Sequence, residues 1–325
     1  MDALEFRLLN DFQRDFPLAS RPYARVGDAL GVTENVVLDT LASLQRRGVL
    51  SRVGAVFRPH AIGASLLAAL EAPPNLLGRI AQRISLHRAV THNYAREHRL
   101  NLWFVVTALD RERVEAVVQE IEGSTGLAVL KLPLVDEIHV DLGFPLDAPC
   151  AKPEVPSAAH APAHLSAQER RLAVVIEDGL PLKPRPYADL AVRSGLSEHQ
   201  VIDMLESWRQ ARLIRRLGVI VRHRALGFRA NAMCVWDVPE GEAREIGAQL
   251  AREPAVTLCY IRARAQPRWR YNLYCMIHGR ERHAVEREIA RLVRAGGLAR
   301  FAHEVLFSRR CYKQTGARYA GCADG

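Results

Sequence analysis

The stretch from Thr91 to Ala108, THNYAREHRLNLWFVVTA, holds the densest set of side chains that could handle protons and anions. Read as a strand, alternate residues share a face, which puts His92, Tyr94, Arg96 and His98 in one row and the small Thr91, Asn93 and Ala95 in the other. Such a row, followed by Asn101 and Trp103 on the next strand, suits the lining of a polar, ligand-filled cleft better than a solvated face. A second stretch, LCYIRARAQPRWRYNLYCMIHG from Leu258 to Gly279, repeats the row with changes. Tyr260, Arg262 and Arg264 keep it, while Leu258 and Arg264 stand where the first stretch has its two histidines. A longer hairpin brings Trp269 and Tyr271 ahead of Asn272, and His278 ends the following strand. The first stretch therefore offers histidine, the proton donor suited to neutral pH. The second offers arginine, whose planar fork matches carboxylate and phosphate.

Both stretches sit in one module written twice. Arg21-Pro22-Tyr23 returns as Arg185-Pro186-Tyr187, a shift of 164 positions. At the same shift RVGAVFRPHAIG (Arg52 to Gly63) returns as RLGVIVRHRALG (Arg216 to Gly227). Arg52, Gly54, Arg58 and Gly63 land on Arg216, Gly218, Arg222 and Gly227, and His60 lands on Arg224. Solenoid repeats run to roughly 20–50 residues, so this is a tandem pair of whole domains.

Each copy opens with a helix–turn–helix pattern. Leu4 to Phe12 reads as a helix and Arg25 to Leu30 as a second, stopped by Gly31. Thr33 caps a third, with Val36, Val37, Leu41 and Leu44 on its apolar stripe. In the second copy Ala188 to Arg193, Gly195, a cap at Ser197, and Val201, Ile202, Leu205 and Trp208 repeat the pattern. A β-wing is expected after each, over Leu50 to Phe57 and Leu213 to Val221. A β-α-β-β-α-β order follows each wing, with last strands expected at Leu127–Leu132 and Ala299–Phe307. That order is the ferredoxin-like split unit. The expected fold class is α+β, a tandem repeat of winged helix–turn–helix plus ferredoxin-like domain. The boundaries read 1–60, 61–145, a Pro/Ala-rich linker at 146–164, 165–226 and 227–319.

The net charge is +9, and only four of the 45 basic residues are lysines (Lys131, Lys152, Lys183 and Lys313). A basic, arginine-rich chain expects an anionic partner. The six cysteines (Cys150, Cys234, Cys259, Cys275, Cys311 and Cys322) form no CxxC pair, which speaks for reduced structural thiols rather than a zinc knuckle or iron–sulfur ligation. The first residues, MDALEFRLLNDFQRDF, show no basic and then apolar leader, and no apolar run approaches a membrane span. A soluble, cytoplasmic protein without membrane contact is expected.

The architecture resembles the Lrp/AsnC transcription regulators, over nearly all of both halves, so DNA is the first partner to weigh. The candidate recognition helices begin Thr33-Glu34-Asn35-Val36-Val37-Leu38-Asp39-Thr40 and Ser197-Glu198-His199-Gln200-Val201-Ile202-Asp203-Met204. Neither holds an Arg or Lys, and each carries two acids, although phosphate contacts need positive charge. Specific DNA binding is not expected; the helix–turn–helix serves as scaffold and dimer wall.

The clusters themselves resemble those of the siroheme decarboxylases of heme d1 biosynthesis. HNYAREHRLNLWFV with RVGAVFRPHAIG looks like the NirD type, and CYIRARAQPRWRYNLYCMIHG with RLGVIVRHRALG like the NirL type. Arg264, Ala265 and Arg270 depart from the proline-richer hairpin of that pattern. The resemblance implies removal of CO2 from two acetate side chains of siroheme, giving 12,18-didecarboxysiroheme. It implies no cofactor of the protein's own, since the iron arrives with the substrate, and pairing of the two halves with each other or in a homodimer. His92 or His98 would then be the proton donor or a ligand to the siroheme iron, with Tyr94 orienting the acetate and Arg96, Arg52 and Arg58 holding carboxylates. Arg216, Arg222, Tyr260, Arg262 and Arg264 would anchor the macrocycle, and His278 is a further acid candidate. His60, Asn101, Trp103, Trp269, Tyr271 and Asn272 complete the expected binding set. Arg309, Arg310, Lys313 and Arg318 form a possible carboxylate clamp or an exposed tail. The alternative is a regulator or tetrapyrrole sensor of the Lrp/AsnC type.

Overall fold

The computed structural model describes residues 1–58, 62–140 and 165–317. His60, the linker at 146–164, Arg318, Cys150 and Cys322 lie outside the described residues.

The first half runs α1 (Ala3–Asp11), α2 (Pro22–Leu30), α3 (Glu34–Arg46), β1 (Leu50–Phe57), β2 (Ala64–Leu70), α4 (Leu77–Leu86), β3 (Val90–Arg96), β4 (Leu102–Ala108), α5 (Arg111–Thr125) and β5 (Leu130–Val140). The second repeats it as α6 (Ala167–Ile176), α7 (Pro186–Ser194), α8 (Glu198–Gln210), β6 (Ile214–Val221), β7 (Ala230–Trp236), α9 (Glu240–Ala251), β8 (Val256–Arg262), β9 (Leu273–Gly279), α10 (Arg282–Ala295) and β10 (His303–Gln314). The helix ends follow the local signals. Pro22 and Pro186 start α2 and α7, where a missing N–H costs nothing. Gly31 and Gly195 end them at φ of 72° and 68°. Thr33 and Ser197 cap α3 and α8.

The chain folds as two compact units, and these do not follow the halves. One unit gathers α1–α3, β1, α6–α8 and β6; the other gathers the two ferredoxin-like portions. Like therefore packs with like across the duplication.

In the first unit β1 and β6 form a two-stranded antiparallel sheet, with Gly54 opposite Gly218 at its middle. The expected wings are thus corrected: among the described residues each is a single strand that pairs with its counterpart in the other half. Both glycines are demanded by close backbone approach. A Cβ on Gly218 would overlap the Gln13 carbonyl, and one on Gly54 would stand 3.0 Å from Gly179 Cα. The segment after α1 bonds to β6 (Val219 N–H to Phe12 O, 2.7 Å), and the segment after α6 bonds to β1 (Leu180 N–H to Val53 O, 2.7 Å). The repeated Arg-Pro-Tyr does the same work. The buried Tyr23 hydroxyl donates to Pro181 O at 3.0 Å and the Tyr187 hydroxyl to Pro17 O at 2.9 Å, each crossing to the other half. Arg21 pairs with Glu34, and Arg185 with Glu198, so the acids at the starts of α3 and α8 are held by their own half's arginine.

The second unit is a closed eight-stranded barrel in the order β10-β3-β4-β2-β5-β8-β9-β7. Each half contributes a split β-α-β-β-α-β sheet, and the halves join where β5 pairs with β8 and β10 with β3. The strand ASLLAAL (β2) is apolar throughout because both its faces are covered. Leu66, Ala68 and Leu70 pack outward under α4 and α5 with Val90, Phe104 and Ile121, while Leu67 and Ala69 point inward with Trp103 and Leu132. Ala232, Cys234 and Trp236 pack outward in the same way in the second half.

Two corrections concern β5 and β10, which run well beyond the expected 132 and 307. Pro133, Asp136 and Glu137 read as a loop, and the Arg-rich end of β10 as a tail. Each is drawn into a strand because the other half supplies its hydrogen-bond partner. Three residues of the clamp-or-tail reading near the C-terminus fall on β10. Lys313 donates to Ser85 O and His87 O, both at 2.8 Å; Arg310 lies over the Tyr312 ring at 5.0 Å; Arg309 stands 3.8 Å from Glu97. Cys234, Cys259, Cys275 and Cys311 are free thiols. No helix among the described residues is long and apolar enough to cross a membrane.

Candidate functional site

The alternation of β3 places its row as expected for His92, Tyr94 and Arg96. His92 pairs with Val105 and Tyr94 with Trp103 of β4, both on the inward face of the barrel. His92 stacks on Tyr94 with ring centroids 6.5 Å apart, and its Nδ1 lies 3.1 Å from Thr91 Oγ1. On β8, Tyr260 faces Tyr274 across the β8–β9 pair in the same lining.

The two Tyr-x-Arg repeats close the barrel. Arg96 Nη1 donates to Leu306 O of β10 at 2.9 Å, and Arg262 Nη1 donates to Leu132 O of β5 at 3.0 Å. Each arginine thus reaches a strand of the other half. The Arg96 carbon Cζ stands 5.8 Å from the Tyr94 ring centre, and that of Arg262 stands 5.2 Å from Tyr260 and 5.8 Å from Tyr274. Burial lowers both guanidiniums, Arg96 to about 10, because no water solvates the charge. Arg96 Nε has no hydrogen-bond partner among the described residues, and its Nη2 meets only Met276 Sδ, at 4.0 Å. The edge of the fork that grips a carboxylate bidentately is therefore buried and held by no oxygen among the described residues.

His98 lies past the end of β3, in a cleft of about 440 Å³ with Arg99, Arg268, Trp269, Arg270, Tyr271 and Glu304. Its Nδ1 accepts the Leu100 N–H at 2.9 Å, and a backbone N–H can only donate. The ring proton is therefore on Nε2, which donates to Glu304 at 2.8 Å. The Tyr271 hydroxyl donates to the same carboxylate at 2.9 Å; burial and then the Glu304 charge push that phenol up to about 12. Trp269 forms the wall: its ring lies 5.5 Å from His98, 5.1 Å from Trp103 and 4.9 Å from Tyr271, and its N–H donates to Tyr274 Oη at 2.6 Å.

Several expected binding residues instead hold the fold. Asn101 accepts the Ala72 N–H at 2.9 Å and donates to Ala72 O at 2.8 Å, and Asn272 makes the same pair with Val238, at 2.9 Å each way. Each amide is engaged by one backbone N–H and one backbone carbonyl. Arg264 bonds Asp237 (2.8 Å) and the Arg270 carbonyl (2.9 Å), so it pins the β8–β9 hairpin instead of reaching a ligand. Trp103 is 2% exposed and donates to Leu100 O at 2.6 Å, placing it behind the cleft wall rather than in the cleft. His278 is tied by Asn231 at 2.6 Å and Thr257 at 2.9 Å. Arg52, Arg58, Arg216 and Arg222 belong to the unit built on β1 and β6. Arg52 donates to Ala55 O at 3.2 Å, and burial lowers the Arg58 guanidinium.

Sequence reasoning missed Asn231, Thr257, Tyr274 and Glu304. Asn231 carried a signal, as the one amide in the apolar strand ANAMCVW. Glu304 carried none, as a lone acid within the strand expected over Ala299–Phe307.

Residues 62–138 and 225–313 match the family model of the AsnC-like ligand binding domain. Residues 5–50 and 169–215 match that of the siroheme decarboxylase NirDL-like HTH domain. The chain is 43% identical, over 99% of its own length and 99% of the relative's, to the siroheme decarboxylase NirDL subunit of Paracoccus denitrificans. The siroheme decarboxylase NirD subunit of Pseudomonas aeruginosa is 49% identical over 46% of this chain and 99% of its own, as a single-copy version of the module would be. A crystal structure of the siroheme decarboxylase NirDL shares the fold, with a TM-score of 0.70 at 24% identity over 98% of this chain and 94% of that one. Domain models that match in both halves, and a relative aligned from end to end, leave one assignment: the chain belongs to the siroheme decarboxylase NirDL family.

Proposed function

We propose that this chain converts siroheme to 12,18-didecarboxysiroheme, a carboxy-lyase step of heme d1 biosynthesis that removes CO2 from two acetate side chains. The full-length family match carries the reaction. The inward row of β3 supports the division of labour. In each step the bond between the acetate methylene and its carboxylate breaks and CO2 leaves. The electron pair stays on the methylene carbon and spreads into the conjugated pyrrole, and one proton completes the methyl group. No electron is gained or lost, so the proposed chemistry needs no cofactor from the protein; the iron comes with the substrate.

His92 is assigned as the proton donor, with Tyr94 beside it orienting the acetate. His98 binds the Leu100 N–H and Glu304, and His278 binds Asn231 and Thr257, which fits both to orienting roles. Arg99 and Arg268 at the cleft are assigned to the substrate's carboxylates. The arginine-held acids at the starts of α3 and α8 support a structural, not DNA-reading, role for those helices. The free thiols favour a reducing, cytoplasmic setting, and the paired halves favour a chain that needs no second copy to complete its barrel.

Anaerobic incubation with siroheme, followed by mass spectrometry, is expected to give a product lighter by two CO2 units. Unchanged siroheme would overturn the assignment.

A further inference from the structure

The barrel interior holds a chain of hydrogen bonds whose direction is set at every link. A guanidinium has donors only, so Arg96 Nη1, 3.4 Å from Asn231, must face the amide oxygen Oδ1. The amide nitrogen then faces His278 and donates to Nε2 at 2.6 Å. Nε2 is thus bare, and the imidazole proton is on Nδ1, which donates to Thr257 Oγ1 at 2.9 Å. The threonine hydroxyl in turn donates to Met276 O at 3.2 Å. Turning the amide over would set its N–H2 against the guanidinium, donor against donor.

The amide and the imidazole of this chain occur on one side of the duplication only, although Thr91 donates to Val105 O as Thr257 does to Met276 O. By strand position Ser65, Thr91 and Thr107 of the first half stand where the second half has Asn231, Thr257 and His278. His278 is therefore no symmetry mate of His92, whose counterpart is Leu258. An arginine of the first half is oriented by an amide and an imidazole of the second.

We propose that Asn231 is a positioning residue: backed by His278 and Thr257, it aims the Arg96 guanidinium so that its buried Nε/Nη2 edge, which no protein oxygen meets among the described residues, receives a substrate carboxylate that remains attached. This deepens the siroheme reading and rests on it. The carboxylate is one that stays, for a chemical reason. A cation on the departing carboxylate stabilises the ground state, whose charge moves into the ring as the bond breaks, and so would slow the reaction. A cation on a spectator carboxylate anchors the substrate without that penalty. His278 is accordingly a neutral orienting group, not the acid.

Two measurements test this, one of which needs no turnover. In the full-length protein labelled with ¹⁵N-histidine, the His278 resonances, assigned with a His278→Gln variant, are expected to show Nδ1 protonated and Nε2 bare near neutral pH. In Asn231→Asp the carboxylate accepts instead, and Nε2 is expected to become protonated. A protonated Nε2 in the parent protein, or no change in Asn231→Asp, would overturn the relay. In the second measurement, Asn231→Leu is expected to weaken siroheme binding about tenfold, read by absorbance titration, while kcat falls less than about threefold. Unaltered binding with the relay confirmed would overturn the carboxylate role. A parent protein that binds siroheme but releases no CO2 would contradict the decarboxylase reading while leaving the relay intact.

Discussion

His92→Ala slows siroheme decarboxylation by about 10²–10⁴-fold, the contribution of a positioned general acid, while siroheme still binds. The size follows from what the proton does. Loss of CO2 is reversible in principle until the methylene carbon is protonated, and water at the wall of an apolar barrel is a poorly placed donor. An imidazole within the row, stacked on Tyr94, is placed where the methyl group forms. Small imidazoles added to the variant are expected to restore part of the rate, since the cavity left by His92 has the shape of the ring that was removed. His98→Ala supplies the contrast. That ring bridges the Leu100 N–H and Glu304, so its loss loosens the cleft and weakens binding while leaving kcat within about tenfold. Equal turnover in His92→Ala and the parent protein would move the acid elsewhere.

Arg96→Met is expected to weaken siroheme binding by about 10–100-fold while the melting temperature moves by only a few degrees. Two opposing magnitudes decide the second half of that statement. The bond from Arg96 to Leu306 O is charge-assisted, and such bonds contribute about 1.5–3 kcal/mol. Against it stands the burial of a charge with no carboxylate partner. A guanidinium lowered from 12.5 to about 10 has lost about 3 kcal/mol of preference for its charged form. Methionine fills much of the volume and removes both terms, so the fold gains nearly what it loses. The binding term has no such offset. A carboxylate on the buried Nε/Nη2 edge is lost with the arginine, and one charge-assisted bond of that strength corresponds to about 10–100-fold in affinity. A charge kept at a cost to the fold, with a buried donor left unpartnered among the described residues, is what a group retained for its ligand would show. Calorimetry with siroheme titration checks both parts. A large loss of stability with unchanged affinity would make Arg96 a strut alone.

Much of the fold was legible because local signals and periodicity agree. Proline starts and glycine stops bracket α2 and α7, and short apolar runs such as ASLLAAL mark barrel strands. The repeat itself predicted two like modules. What it could not show was exchange between them. Gly54 and Gly218 read as members of two separate β-wings, but they sit at the centre of a strand pair that no single half contains. The second parts of β5 and β10 carry Pro133, Asp136, Arg309 and Arg310, which locally oppose a strand, and only pairing with the other half makes them one.

The site was legible in residue type but not in role. The inward row of His92, Tyr94 and Arg96 followed from alternation. Asn101 and Asn272 looked equally chemical, yet each serves one backbone pair next to its strand, a duty that sequence alone does not separate from ligand binding. The link from Arg96 to His278 spans 182 positions of sequence and depends on the closed barrel, so no local pattern could announce it.

The central claim is protonation of a decarboxylated methylene carbon by a group in exchange with solvent. Anaerobic turnover of siroheme in D2O, with mass spectrometry and NMR of the product, tests it most directly. The expected product lacks two CO2 units and carries one deuterium in each new methyl group, at C-12 and C-18. A product that loses both CO2 units with no solvent-derived deuterium in those methyls would contradict the account, because the hydrogen would then have come from a source other than an exchangeable acid.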